Sequence, residues 1–145
     1  MEEKEELKGV MTRMESGLVT STYSLYFTNK RIIRALTFSA GKKVGTWAVG
    51  GKLLGGTLNK HFENKKDENL RNLNFDEILN ENKRNIEIDF SSIKSIRMSK
   101  TFVGAKMTIV TSDKEYSMKI KEKKKFNDYL ELIKSLLPDK LEVFR

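Results

Sequence analysis

A run of basic residues with no acidic neighbour is the feature of this chain that could do chemistry. The 145-residue sequence carries 28 basic and 20 acidic residues, which gives a formal net charge of +8. No Asp or Glu occurs between residues 16 and 62. Cations without local counter-charges favour an anionic partner such as a phospholipid, a nucleic acid or an acidic protein surface. The candidate phosphate contacts in and beside this run are Lys30, Arg31, Arg34, Lys42, Lys43 and Lys52.

Among these cations lies a glycine-rich segment, Val44 to Leu58, with five of the nine glycines and the only tryptophan. A Walker A phosphate loop needs a glycine five residues before its Gly-Lys pair and a hydroxyl residue after the lysine. Around Lys52 those positions hold Thr46 and Leu53. The segment therefore lacks the residues of a nucleotide cradle.

Read as a helix, the glycine-rich segment has an apolar stripe with Lys52 on the opposite side. Five glycines cost up to ~1 kcal/mol each in a helix, so this helix needs a surface on which to form. A bilayer boundary, a second subunit and the protein's own barrel all fit, because tryptophan with lysines suits a membrane interface and glycines permit close approach. The residues expected to contact a membrane or a partner are Trp47, Gly51, Leu54, Gly55 and Leu58.

The chain offers few groups for catalysis. It has no cysteine, and His61 is its only histidine. Metal-ligand spacing is missing, so we expect no metal, no cofactor and no enzymatic activity. The N-terminus is acidic without an apolar core, and no run reaches the ~20 apolar residues that cross a bilayer. These features predict a cytoplasmic protein, or one bound peripherally at a membrane.

Apolar alternation predicts two groups of antiparallel strands that would position these residues. The first group is a hairpin over residues 19–27 and 31–38, with a weaker strand over 7–14 before it. The second group comprises strands over 86–90 and from 93, followed by a hairpin over 105–111 and 115–120. Residues 39–85 lie between the two groups and do not resemble strand, apart from a short helix near Phe75 to Asn80.

A C-terminal helix follows the strands. Apolar residues recur at helical spacing from Phe126 to Leu137, and Pro138 ends the pattern. We predict one domain over residues 1–145, of mainly β or α+β class. It is a bent antiparallel sandwich or barrel, capped by the C-terminal helix, with residues 39–85 as an insertion.

Two stretches resemble a known family. LYFTNKRII, Leu25 to Ile33, is similar to a strand ending of bacterial and archaeal pleckstrin-homology-like (PH-like) domains, including the GRAM type. IEIDFSSIKSIRM, Ile86 to Met98, resembles an apolar crossing in the same family. The resemblance covers roughly residues 7–38 and 74–137 and implies a PH-like fold. The glycine-rich insertion departs from the standard loop of that fold.

These observations favour a non-enzymatic module that binds an anionic membrane surface or lipid headgroup. The alternative is a protein-interaction or oligomerisation module that uses the Val44–Leu58 helix. Nucleic-acid binding is a third hypothesis, because aromatic residues adjoin the basic run. Against it, Tyr23 and Phe27 share the apolar face of their strand and are expected in the core.

Overall fold

A computed structural model describes residues 5–16, 21–39, 42–43, 75–102 and 104–144. Each predicted strand region forms a strand, and the predicted helices near residues 75–80 and from Phe126 are present, whereas the predicted Val44–Leu58 helix lies outside the described residues. The strands are β1 (Leu7–Ser16), β2 (Ser21–Thr28), β3 (Arg31–Ser39), β4 (Lys42–Lys43), β5 (Ile86–Asp89), β6 (Ile93–Lys100), β7 (Ala105–Thr111), β8 (Glu115–Ile120) and β9 (Leu141–Phe144). The α-helices are α1 (Phe75–Asn80) and α2 (Phe126–Leu136), and short 3-10 turns span Phe90–Ser92, Lys123–Lys125 and Pro138–Lys140.

The strands of the described residues form one sheet of nine. Its order is β4-β3-β2-β1-β8-β7-β6-β9, and β5 pairs with β3 beside β4. All the pairs are antiparallel except β6 with β9. Pairing of Met14 with Ile120 and of Glu15 with Lys119 joins the first group of strands to the second. The predicted antiparallel β architecture is confirmed.

One apolar core lies between the two groups of strands and α2. It includes inward residues of β1, β2 and β3, such as Met14, Leu25 and Ile32, together with residues of β5 to β8. The buried face of α2 completes it, as the helical spacing predicts. The α2 face and the residue after it contribute Phe126, Tyr129, Leu130, Ile133 and Leu137.

A second cluster lies on the other side of the first three strands. There α1 places Phe75 and Ile78 against Tyr26 and Ile33. Strand β2 is thus covered on both sides, which explains its nearly continuous burial. Among the described residues, no helix is long and apolar enough to span a membrane.

The outer edge of β3 is covered along its length by three different partners. Residues 31–34 pair with β5, and residues 38–39 pair with β4. Between them the buried Asn85 side chain accepts a hydrogen bond from the Leu36 amide at 2.7 Å and donates one to the Ile78 carbonyl at 2.7 Å. Asn85 therefore connects β3 to α1 where no strand is paired.

The centre of β1 is irregular. The register with β2 shifts between Met11 and Met14, and Arg13 has a φ of 54°, in the left-handed region. This bulge leaves the Thr12 amide without a strand partner, and it donates instead to the Tyr129 hydroxyl of α2 at 3.1 Å. The irregularity thus joins the C-terminal helix to the sheet.

Two strands were missed by the sequence patterns. Strand β4 has only two residues and lies inside the predicted insertion. Strand β9 has four residues, follows Pro138 and pairs with β6. Strand β4 is too short to show a period of two, and in β9 only Leu141 packs on the core, since Val143 and Phe144 are both exposed. The predicted domain boundary and the extent of the insertion remain predictions.

Candidate functional site

Arg34 occupies a position on β3 where alternation would place an apolar core residue. It follows Ile32 on the same side of the strand and lies directly across from the fully buried Leu25. Its side chain is partly buried. A charged residue at such a position costs free energy unless a partner compensates it. The contacts of this guanidinium therefore show how far the described residues compensate its charge.

Two tyrosines surround the Arg34 guanidinium. Its carbon lies 4.3 Å from the centroid of the Tyr23 ring and 5.7 Å from that of Tyr116. Tyr23 comes from β2 and Tyr116 from β8, so both groups of strands contribute. Stacking on aromatic rings stabilises a cation by about 0.5–2 kcal/mol, but it does not neutralise the charge.

No carboxylate of the described residues forms an ion pair with Arg34. Its Nε is fully buried and has no hydrogen-bond partner among the described residues. Burial lowers the pKa of Arg34, and the nearby positive charge of Arg84 acts in the same direction. An anion placed here would compensate the charge and accept the unused hydrogen bond.

Arg84 is the second cation of the site. Its guanidinium donates to the Ser21 hydroxyl at 2.7 Å and to the Tyr23 hydroxyl at 2.9 Å, and its carbon lies 5.8 Å from the Tyr23 centroid. The next residue, Asn85, is fixed by its two hydrogen bonds to β3 and α1. Two arginines are therefore held on one tyrosine from different elements.

Lys42 and Lys43 have their backbone at the same end of the sheet. Ser21 pairs with Ser39, and Ser39 pairs with Lys42. Since neighbouring strands are about 4.8 Å apart, the Lys42 backbone lies ~10 Å from that of Ser21. The backbone of these two lysines thus lies near Ser21, which Arg84 contacts, whereas five residue steps of β3, or ~17 Å of extended strand, separate Ser39 from Arg34.

Lys30 and Arg31 lie at the opposite end of β3. Eight residue steps separate Arg31 from Ser39, which is ~27 Å of extended strand. Lys30 is exposed in the β2–β3 turn. The five predicted phosphate contacts that lie in the described residues therefore do not form one cluster.

Arg31 is the centre of an ion-pair network. It binds Glu5 through Nε at 2.9 Å and through Nη2 at 3.0 Å, Asp76 at 3.1 Å, and Glu87 through Nη1. Burial alone would lower its pKa, but these hydrogen bonds raise it, so the guanidinium is held charged. Only 14% of the side chain is exposed. To contact a phosphate, Arg31 would have to leave this network.

Several predicted site residues fall outside the described residues. They are Lys52, Trp47, Gly51, Leu54, Gly55 and Leu58.

Sequence patterns missed Arg84 and Tyr116. Arg84 stands in a polar stretch before β5, where nothing distinguishes it from Lys83. Tyr116 has a weak signal, since it alternates with the buried Met118 and Ile120. That alternation places it inward at the start of β8.

The fold and the site define a small β domain, closed by a C-terminal helix, with two arginines over one tyrosine of its sheet. Residues 68–135 match the family model described as the bacterial PH domain. This range contains α1, β5 to β8 and most of α2. No curated protein matches the chain. The chain resembles bacterial PH domains, and its mainly β fold with one C-terminal helix is PH-like.

Proposed function

We propose that the chain is a non-enzymatic binding module that takes up the phosphate of an anionic lipid headgroup at Arg34 and Arg84. The observation that carries the proposal is the Arg34 guanidinium, which is partly buried, stacked on Tyr23 and unpaired by any carboxylate of the described residues. Among the described residues, no carboxylate supplies the negative charge that the Arg34 guanidinium would accept. PH-like domains often bind lipids or proteins, which agrees with such a role.

The surroundings of the two arginines also support a membrane-associated anion. Lys42 and Lys43 are at this end of the sheet, and Lys52 belongs to the same acid-free run. Each cation near an anionic leaflet contributes about 1 kcal/mol to binding. A headgroup in the arginine site and lysines on neighbouring headgroups would together hold the protein reversibly at a membrane periphery.

The test is flotation with vesicles of phosphatidylcholine alone and of phosphatidylcholine with phosphatidylserine. We expect binding to require the anionic lipid and to fall steeply with salt. The double variant Arg34→Gln/Arg84→Gln should weaken it roughly 30-fold, since two cations contribute about 2 kcal/mol. Calorimetry with inorganic phosphate and with soluble glycerophosphate shows whether the site also takes free anions.

The matched control is Lys94→Gln/Lys134→Gln, which removes the same charge from exposed positions on β6 and α2. It should weaken vesicle binding far less than the arginine variant does. Equal weakening would mean that net charge, not the arginine site, determines binding, and this would contradict the proposal. A comparable salt dependence with oligonucleotides but not with vesicles would favour nucleic acid instead.

Oligomerisation through the Val44–Leu58 segment is the alternative function. Gly51→Leu separates the two, because a glycine at a subunit contact leaves no room for a leucine. Light scattering should then show a dissociated oligomer. If the segment meets lipid, the same variant keeps its assembly state and binds vesicles at least as well, since apolar area is added.

A further inference from the structure

The turn between β6 and β7 presents an apolar side chain to solvent. Phe102 is 95% exposed, the most exposed large hydrophobic side chain of the described residues. Its backbone is nevertheless fixed. The Thr101 amide donates to the Gly104 carbonyl at 2.9 Å, and Lys123 Nζ donates to the Phe102 carbonyl at 3.1 Å. Phe102 is thus held in water without burial against its own chain.

A second exposed phenylalanine lies at the same end of the sheet. Phe144 is 54% exposed, and it pairs with Ser99, three residues before Phe102. Because β9 runs parallel to β6, the ends of both strands are adjacent. Val143, beside Phe144, is 39% exposed. Scattered exposed apolar residues need no explanation, but these lie together at one end of the sheet.

Lysines surround this end. Lys106 and Lys119 lie directly opposite each other on β7 and β8, and both are exposed. Like charges at facing positions destabilise a sheet, and in the described sheet only Lys119 has a facing carboxylate, Glu15 of β1, on its other side. In the described parts of the chain neither lysine forms an ion pair. Residues 119–125 add four lysines beyond Lys119, of which Lys121 pairs with Glu15 and Lys125 pairs with Glu122.

The lysines at this end of the sheet indicate an anionic partner. A second copy of the chain would bring the same lysines face to face, which is unfavourable. An anionic bilayer suits both features, because an aromatic side chain at a protruding turn enters the headgroup boundary while lysines behind it reach the headgroups. A bilayer also needs no preformed pocket for the ring.

We propose that the β6–β7 turn is a second membrane-contacting surface, in which Phe102 inserts into an anionic bilayer and Lys106 and Lys119 bind its headgroups. This surface is separate from the arginine site. Tyr116 pairs with Ile109 near the end of β7, whereas Ala105 begins β7 beside the turn. The four steps between Ile109 and Ala105 span ~13 Å, and Phe102 lies beyond them.

The test uses the absence of cysteine from the sequence. An environment-sensitive thiol dye at Phe102→Cys should shift to shorter wavelength with phosphatidylcholine–phosphatidylserine vesicles and not with phosphatidylcholine alone. Ser135→Cys carries the same dye at an exposed position on α2, outside both proposed contacts, and should not shift. The Phe102 dye should still shift when Arg34→Gln/Arg84→Gln is added, whether or not the arginine site binds lipid.

Loss of binding provides a second readout. Phe102→Ser should weaken vesicle binding of the Arg34→Gln/Arg84→Gln chain at least tenfold, roughly the effect of exposing one buried phenylalanine. Lys106→Gln/Lys119→Gln should weaken it and reduce its salt dependence. The absence of a dye shift with acidic vesicles would overturn the proposal and leave the turn for a protein partner. A shift that depends on protein concentration without vesicles would also overturn it, in favour of self-association.

Discussion

Two buried tyrosines differ in how their hydroxyl groups are accommodated. Tyr129 accepts a hydrogen bond from the Thr12 amide at 3.1 Å, whereas the Tyr26 hydroxyl is buried with no hydrogen-bond partner in the described structure. Burial raises the pKa of both phenols. A satisfied hydroxyl contributes to stability, and an unsatisfied one costs about 1–3 kcal/mol.

Exchanging each tyrosine for phenylalanine should therefore have opposite effects. We expect Tyr26→Phe to raise the free energy of unfolding by about 1 kcal/mol, since a buried polar group is removed. Tyr129→Phe should lower it by about 1 kcal/mol or more, because the Thr12 amide loses its acceptor. Urea unfolding at neutral pH measures both. A destabilised Tyr26→Phe would show that its hydroxyl has a partner.

The same residues predict an alkaline limit to stability. Folding favours the neutral phenol, because the pKa in the folded state lies above the unfolded value of about 10. The stabilisation that comes from keeping these phenols neutral is fully present below pH ~10. It is lost as the pH rises towards the pKa values of the phenols in the folded state. Unfolding followed from pH 8 to 11 should show the decline, and Tyr26→Phe should make it shallower. An equal decline in wild type and Tyr26→Phe would contradict the assignment.

At the scale of elements, Asn85 connects α1 to β3 and also positions Arg84. Its side chain makes hydrogen bonds to the Leu36 amide and the Ile78 carbonyl, both at 2.7 Å. Removing that side chain leaves two backbone groups of these elements unsatisfied. The effect therefore reaches both the stability of the fold and the geometry of the arginine site.

Asn85→Ala should lower the free energy of unfolding by about 2 kcal/mol. It should also weaken binding of acidic vesicles under conditions where the variant is fully folded, because Arg84 is no longer held beside Tyr23. Lys83→Ala, at an exposed position two residues earlier, is the control. Normal stability of Asn85→Ala would show that the two hydrogen bonds contribute little.

Elements with a clear period were predictable, and those fixed by tertiary contacts were not. Strand alternation and the spacing of Phe126, Tyr129 and Ile133 identified most of the sheet and α2. Strands β4 and β9 are formed by pairing with β3 and β6, and they have no pattern of their own. The site follows the same rule. Arg34 was predicted from the acid-free run. Arg84 belongs to the site only because the fold places its guanidinium carbon 5.8 Å from the centroid of the Tyr23 ring.

At the scale of the whole molecule, the two proposed membrane contacts are at opposite ends of β7. A flat bilayer cannot easily meet both. If both operate, one molecule connects two membranes, and acidic vesicles should cluster at low protein-to-lipid ratios. Dynamic light scattering measures this. Arg34→Gln/Arg84→Gln and Phe102→Ser should each abolish clustering while retaining some binding, and clustering by either variant would argue against bridging.

The ion-pair network of Arg31 has a consequence for the insertion. Arg31 holds Asp76 of α1, and α1 packs against β3, while β4 pairs with the far end of the same strand. The residues on either side of 44–74 are thus both held against β3, at two separate points. Closing a shorter loop between those points changes the entropy only by ~1 kcal/mol for a fourfold change in length. A short Gly-Ser linker in place of residues 44–74 should therefore leave a domain that still folds cooperatively. The glycine-rich segment can then be restored in a second variant, and its contribution measured separately.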